Sequence, residues 1–361
     1  MEAAVTSVSV RAYTIPTDGP EADGTFAWNS TTLILVEIAA ADRTGLGYSY
    51  ASPAAAALVR DHLAEAVSGR DAMDIPAARR AMLQAVRNLG AVGQASYAIS
   101  AVDVALWDLK ARLLDLPLVT LFGAAGQAMP VYGSGGFTTY DSGAIRAQIE
   151  GWREEGISMA KIKIGADPAE DPCRVEAARD ALGPGGQLFV DANGAYSAKQ
   201  ALAFADRFRE QGVAWFEEPV PSDDLNGLRL IRRAAPPGME VAAGEYGDSA
   251  FYMQRMLAAE AVDVLQIDAT RCQGYSGFMQ AAALAGASCL PVSSHCAPAL
   301  HLPVCCHVGA RHMEYFHDHV RIERLIFDGV PQVRHGAMAP DPGRPGHGLV
   351  LREADAERYA L

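Results

Sequence analysis

Three acids, Asp191, Glu217 and Glu245, each close a short apolar run: Gln187-Leu-Phe-Val-Asp191, Val213-Ala-Trp-Phe-Glu217 and Glu240-Val-Ala-Ala-Gly-Glu245. If each run is a strand of a parallel barrel, its C-terminal end delivers a carboxylate to one common mouth. Three carboxylates so placed can hold one divalent cation, and an all-oxygen donor set selects a hard ion such as Mg²⁺. Upstream, Ala160-Lys161-Ile162-Lys163-Ile164 puts two lysines on one face of a strand, because side chains alternate with a period of two. Lysine is almost never fully buried unless paired, so this pair points to a site. A lysine held among cations, a metal included, has its ammonium form disfavoured and can act as a base near neutral pH. Downstream, Asp263-Val-Leu-Gln-Ile-Asp268 and Leu290-Pro-Val-Ser-Ser-His295 end the next two runs, and Glu314 sits in His312-Met-Glu-Tyr-Phe316. An Asp268 carboxylate accepting one imidazole N–H of His295 would fix its tautomer and raise the basicity of the other nitrogen.

These residues need a scaffold that alternates strand and helix. Short apolar strands are expected near Val131, Ala160, Leu188, Trp215, Val241, Val264, Leu290 and Met313, separated by amphipathic helical stretches. Eight such units imply a closed β/α barrel rather than an open sheet. Ahead of them lie strands over residues 5–15 and 32–38, an Ala-rich helical stretch from Pro53 to Asn88, and a core helix from Ala95 to Leu114. The domains expected are a capping domain over 1–126, a barrel over 127–328 and a Pro/Gly-rich segment over 329–361 that packs back on the cap. Two aromatic stretches, Pro16–Asn29 with Phe26 and Trp28, and Gly47–Tyr50 with Tyr48, read as loops long enough to cover a binding site.

Half of the 361 residues are hydrophobic, which suits two domains with large cores. A formal charge of −13 without a Lys/Arg run argues against nucleic acid or an anionic membrane as partner, and no apolar run is long enough for a bilayer. The N-terminus has neither a basic segment nor an apolar signal core, and the six cysteines form no disulfide framework, so a cytoplasmic location is expected. Gly133-Ser-Gly-Gly136 has Thr138 where a dinucleotide fingerprint needs its last glycine. Cys296, His301, Cys305, Cys306 and His307 match no paired zinc-ligand spacing.

The order Lys-x-Lys, then Asp, Glu and Glu, then Asp and His resembles the mandelate racemase subgroup of the enolase superfamily. Ser100-Ala-Val-Asp-Val-Ala-Leu-Trp-Asp-Leu-Lys110, Asp191-Ala-Asn-Gly, Trp215-Phe-Glu-Glu-Pro and Asp263-Val-Leu-Gln-Ile-Asp268 carry the likeness over almost the whole chain. The resemblance implies an α/β fold: a modified TIM barrel, (β/α)7β, under an N-terminal α+β capping domain. It implies Mg²⁺ on Asp191, Glu217 and Glu245, and abstraction of the proton alpha to the carboxylate of a small-molecule substrate. By the same resemblance Lys163 is the base on one face, and His295, oriented by Asp268, is the acid or base on the other. Lys161 touches the substrate carboxylate or tunes Lys163, Glu314 hydrogen-bonds an enediolate oxygen, and Asn193 borders the substrate. Independently of the resemblance, Phe26, Trp28 and Tyr48, clustered in the two long aromatic stretches, are expected to cover the barrel mouth. In the muconate-lactonising and dipeptide-epimerase relatives a lysine ends the sixth strand; Asp268 stands there in this sequence. This favours the Asp/His arrangement. Dehydration of a hydroxylated sugar acid to a 2-keto-3-deoxy acid is the first expectation, with a racemase or epimerase using the same two bases as the alternative and an idle scaffold as the third reading. A homo-oligomer, dimer to octamer, is expected.

Overall fold

The computed structural model describes residues 3–124 and 128–361, so the expected domain boundary at residues 126 and 127 lies outside the described residues. The chain opens with an antiparallel sheet of β1 (Val5–Ala22), β2 (Ala27–Ala40) and β3 (Arg43–Tyr50), in that spatial order. Pro16–Asn29 is not a loop but the far end of the β1–β2 hairpin. Pro16 pairs with Ser30 and Glu21 with Trp28, and the register shifts between them. The excess residues on β1 include Gly19 and Pro20, and a proline cannot donate to a ladder, so the strand bulges there and resumes. The hairpin then closes in a tight turn in which Asp23 Oδ1 accepts from the backbone N–H groups of Thr25 (2.6 Å) and Phe26 (2.8 Å).

The second expected loop is likewise a strand. Gly45 and Gly47 of β3 face the 20-residue helix Gln94–Leu113, where a Cβ would lie 2.3 Å from the Ala105 carbonyl oxygen and 2.2 Å from that of Ala101, respectively. Glycine there allows sheet and helix to touch rather than marking a turn. Tyr48, one residue on, is fully buried: its hydroxyl donates to Glu323 Oε1 at 2.6 Å and its ring lies 5.1 Å from that of Phe327. Tyr48→Phe is expected to destabilise the protein by about 1–3 kcal/mol in denaturant unfolding, through a lost partner for a buried acid, while leaving substrate affinity unchanged. The Ala-rich stretch forms one helical run from Pro53 to Val67, with a π-helical turn over Val59–Leu63, and a second helix, Ile75–Ala85, after a break at Gly69, whose φ is +73°.

Eight parallel strands follow: β4 (Met129–Gly135), β5 (Met159–Lys163), β6 (Gln187–Asp191), β7 (Val213–Glu217), β8 (Glu240–Ala243), β9 (Val264–Ile267), β10 (Val292–Ser294) and β11 (His312–Phe316). Each neighbours the next, and β11 pairs in parallel with β4, which closes the barrel. Helices separate the strands, and polar residues set where several begin. Asp141, Asp224 and Ser249 each accept from a first-turn N–H, and Ser197 with Gln200 forms a reciprocal cap. The helix His317–Ile326 follows β11 at once and is tied to the cap, with Arg321 donating to Pro16 O at 2.6 Å.

Beyond residue 328 the chain contacts both parts. Ala337–Met338 pairs with the start of β4. His347 Nε2 hydrogen-bonds Leu46 O at 2.7 Å, and Leu361 N donates to Ala12 O at 3.0 Å. No described helix is long and apolar enough to cross a membrane.

Candidate active site

The barrel interior is layered by the strand period. Tyr132, Phe189 and Trp215 fill one layer with the His312 ring; Phe189 and Trp215 stack at 5.3 Å, and His312 lies 5.3 Å from Trp215. Two residues further along, the same faces present Asp191 and Glu217, and the register puts Lys163, Asp191 and Glu217 side by side on β5, β6 and β7. Glu245 comes from the turn after β8. It is set by Gly244 at φ +130°, where a Cβ would lie 2.3 Å from Gln266 O. Asp191, Glu217 and Glu245 are all buried, and each offers an oxygen within 4.8 Å of the others.

Hydrogen bonds fix this acid layer from below. Glu217 Oε2 accepts from Trp215 Nε1 at 2.8 Å and from Gln266 Nε2 at 3.1 Å, while its other oxygen pairs with Lys161. Lys161 also lies 2.8 Å from Glu314 Oε1 and 3.6 Å from Asp191 Oδ2, and Lys163 lies 2.6 Å from Asp191 Oδ2. Burial opposes charge on both lysines, but Glu217 and Glu314 around Lys161, and Asp191 beside Lys163, outweigh it and hold both ammonium forms above the usual lysine range. Burial, reinforced by Asp191, pushes the Glu217 carboxyl well up. Burial pushes Glu314 the same way, yet Lys161 and then His295 overcome it and keep Glu314 ionised.

The metal expected here fits the residues present. Glu245 Oε2 is buried without a hydrogen-bond partner, a costly state for an acceptor that a cation would relieve, and the three donors are all carboxylates, the set a hard divalent ion takes.

Across the mouth, His295 follows β10 and Asp268 follows β9. His295 Nδ1 lies 2.7 Å from Asp268 Oδ2, leaving Nε2 3.4 Å from Glu245 Oε2. Asp268 Oδ1 accepts from the N–H and the hydroxyl of Thr270, both at 2.7 Å. Burial would raise the Asp268 carboxyl, but the hydrogen bond and charge of His295 hold it far below the carboxylate range. His301 is a satisfied core histidine: Nε2 accepts from Ala269 N at 2.7 Å and Nδ1 hydrogen-bonds Cys296 O at 2.9 Å. Among the described residues His301, Cys305, Cys306 and His307 belong to no group of ligand atoms close enough to share a metal ion, and Cys296 groups instead with His295 and Glu314.

A cavity of about 690 Å³ opens above this layer, between barrel and cap, and Lys163, Asn193, Glu245, His295 and Glu314 all line it. Lys161 is fully buried and does not line it. The hairpin supplies the cover. Gly24 packs so closely on the mouth that a Cβ would lie 2.5 Å from Ala192 O, and Thr138 N donates to Ala22 O at 2.8 Å. Phe26 and Trp28 line the cavity, with Trp28 Nε1 donating to Glu21 Oε2 at 2.7 Å and its ring edge-on to Phe137 at 5.6 Å. Tyr48 does not reach the cavity; Tyr50, on the same face of β3, does, stacked at 3.4 Å on His319.

Sequence reasoning missed Tyr50, Arg271, Cys296 and His319 as lining residues. Arg271 Nη1 lies 3.2 Å from Glu245 Oε1, and Cys296 Sγ lies 3.2 Å from His295 Nε2. Cys296 and Arg271 stood within three residues of His295 and Asp268, a signal available from the chain. His319 was one of several crowded histidines, and only tertiary stacking singles it out.

Comparison with known proteins gives concordant matches. Residues 6–123 match the family described as mandelate racemase / muconate lactonizing enzyme, N-terminal domain, and residues 144–355 match the enolase C-terminal domain-like family. The chain is 32% identical to the 3,6-anhydro-α-L-galactonate cycloisomerase of Streptomyces coelicolor, over 94% of each sequence. It is 31% identical to the L-talarate/galactarate dehydratase of Salmonella typhimurium over 89% of this chain and 81% of that protein. A structure of that dehydratase liganded with Mg and L-lyxarohydroxamate superposes with a TM-score of 0.91, covering 100% of this chain and 94% of that one. A mandelate racemase/muconate lactonizing enzyme-like protein from Rubrobacter xylanophilus superposes with a TM-score of 0.97 at 47% identity, covering 99% and 100%.

Proposed function

For a chain that belongs to the mandelate racemase / muconate lactonizing enzyme family, we propose Mg²⁺-dependent dehydration of a hydroxylated sugar acid to a 2-keto-3-deoxy acid. One observation carries this reading: a three-carboxylate cluster has Lys163 beside it on β5 and the His295–Asp268 pair after β10 and β9, with Lys163, Glu245 and His295 lining one cavity. Asp191, Glu217 and Glu245 would hold the ion, which when bound supplies positive charge against the negative charge that develops on the substrate carboxylate.

The chain's own residues do the rest. With Asp191 engaged as a ligand, its attraction for Lys163 weakens, and burial then favours the neutral amine that can remove the α-proton. Lys161, sealed beneath the acids, positions and balances their charge rather than touching substrate. Glu314 is held by Ser134 Oγ at 2.6 Å and Cys296 N at 2.7 Å, and a substrate carboxylate beside it raises its affinity for the proton it needs to donate to an enediolate oxygen. His295, its Nδ1 engaged by Asp268, keeps Nε2 toward the cavity to protonate the departing β-hydroxyl, which leaves as water. The enol that remains takes a solvent-derived proton at C3 and becomes the keto acid.

Racemisation is the second reading, because a base on either side of the mouth is also what inversion at the α-carbon requires. Incubation with Mg²⁺ and a library of mono- and diacid sugars separates them. A 2-keto acid establishes dehydration, optical change without one establishes racemisation, and neither refutes both. Relatives named as a sugar-acid dehydratase and a cycloisomerase support the same substrate chemistry. A cytoplasmic homo-oligomer completes the proposal, supported by six free thiols and by the exposed apolar side chains Leu230 and Phe251; sedimentation tests the assembly.

Phe26 and Trp28 are the cover of this site. Trp28→Ala is expected to raise KM roughly tenfold by removing apolar contact area, with little change in unfolding midpoint. An unchanged KM and altered stability would make Trp28 a packing residue only.

A further inference from the structure

The cavity is polarised between its two walls, and the polarity specifies the far end of the substrate. Every lysine, arginine and histidine among its described lining residues belongs to the barrel: Lys163, Arg271, His295 and His319. The barrel already matches most of that charge. Lys163 faces Asp191 at 2.6 Å, Arg271 faces Glu245 at 3.2 Å and Asp268 at 3.6 Å, and His295 faces Asp268 at 2.7 Å. His319 is buried and stacked on Tyr50, and burial pushes its affinity for a second proton well down; its Nδ1 accepts from Ala297 N at 3.3 Å, so its Nε2–H serves as a neutral donor.

The cap wall is of another kind. It contributes the hydroxyl-bearing Ser30, Thr32 and Ser52, the amide of Gln94, the rings of Phe26 and Trp28, and one carboxylate, Asp23. Asp23 holds its place because one oxygen takes three donors of its own turn: Thr25 N at 2.6 Å, Thr25 Oγ1 at 3.1 Å and Phe26 N at 2.8 Å. A substrate whose reacting carboxylate lies at the acid cluster therefore extends its other end toward hydroxyls and an anion, with no cap cation among the described lining residues to receive a second carboxylate.

We propose that the substrate is a monocarboxylate with an uncharged, hydroxylated tail, an aldonate-type acid, and that the cap wall rejects the corresponding diacid. The inference rests on the dehydration reading only in placing the reacting carboxylate at the acid cluster. Like-charge juxtaposition at a binding surface is a strong device against a wrong partner, whereas a terminal CH2OH finds donors and acceptors in Ser30, Thr32 and Gln94.

Calorimetric binding to Mg²⁺-loaded protein tests it, using stereoisomeric five- and six-carbon aldonates, each paired with the aldarate made by oxidising its terminal CH2OH. Turnover is blocked by Lys163→Ala, with His295→Asn as a second blocked background. The best aldonate is expected to bind at least about tenfold more tightly than its aldarate. Asp23→Asn, which keeps the turn's acceptor oxygen and removes the charge, is expected to narrow that ratio by improving the aldarate. An aldarate that binds as tightly as or more tightly than its aldonate, no binding by any aldonate, or a ratio that Asp23→Asn leaves unmoved overturns the proposal. The wild-type enzyme is assayed in parallel for keto acid. A preserved binding ratio without keto acid counts against dehydration and leaves the charge assignment standing.

Discussion

Lys163→Ala and His295→Asn are each expected to lower turnover by about 10²–10⁴-fold, the range for loss of a positioned acid or base. The two positions differ in what surrounds them, so the residual chemistry should differ as well. Lys163, at the end of β5 before the acid-bearing strands, lies against Asp191 of β6, whereas His295 lies beyond those strands, oriented by Asp268. With one group removed, the other still faces the substrate from its own side. In D₂O each variant is expected to exchange only the α-proton presented to its intact base, read by proton NMR on a pair of α-epimers. Full turnover by His295→Asn, or exchange lost from the same face in both variants, would refute a two-sided site. Asp268→Asn provides a control for positioning: it keeps the hydrogen-bonding shape but removes the charge, so it should lower activity and shift the pH profile of the acid limb rather than remove one face of exchange.

Glu217→Gln is expected to reduce kcat/KM by at least about 10³-fold, corresponding to several kcal/mol of lost charge stabilisation. Glu217 is fully buried between Lys161 on one oxygen and Trp215 and Gln266 on the other, so glutamine can keep most of the contacts while losing the charge. The fold should survive, with an unchanged circular dichroism spectrum. Binding of an ion to the folded state alone raises stability, so Mg²⁺ should raise the unfolding midpoint of the wild type and not that of the variant. Activity that persists in chelator, or an equal Mg²⁺ shift in both proteins, would remove the ion from Glu217.

Much of the barrel was legible because its signals are local. Asp191, Glu217 and the Lys161/Lys163 pair are strand residues whose facing follows from alternation alone, and each expected strand lies at or within two residues of an observed one. The cap was less legible because its local signals point the wrong way. Pro16, Gly19 and Pro20 read as loop, yet the pairing partner of β2 carries the chain past them in a bulge. Gly47 opens a stretch that reads as a loop, yet the missing side chains of Gly45 and Gly47 admit the helix at Ala105 and Ala101. That misreading moved Tyr48 to the mouth, where Tyr50 stands instead. Lys163 was expected among cations; its nearest charge is Asp191, since register, not composition, decides which neighbour a strand residue meets.

One measurement bears most directly on the chemistry: NMR of the product formed in D₂O by wild-type enzyme with Mg²⁺ and the best substrate of the sugar-acid library. Loss of the α-proton and the β-hydroxyl, followed by protonation of the enol, places one solvent deuterium at C3 of a 2-keto-3-deoxy acid, and protonation of the bound enol within the cavity places it on a single face. A keto acid with no deuterium at C3, or a starting acid altered only in configuration at its α-carbon, would contradict dehydration at this site.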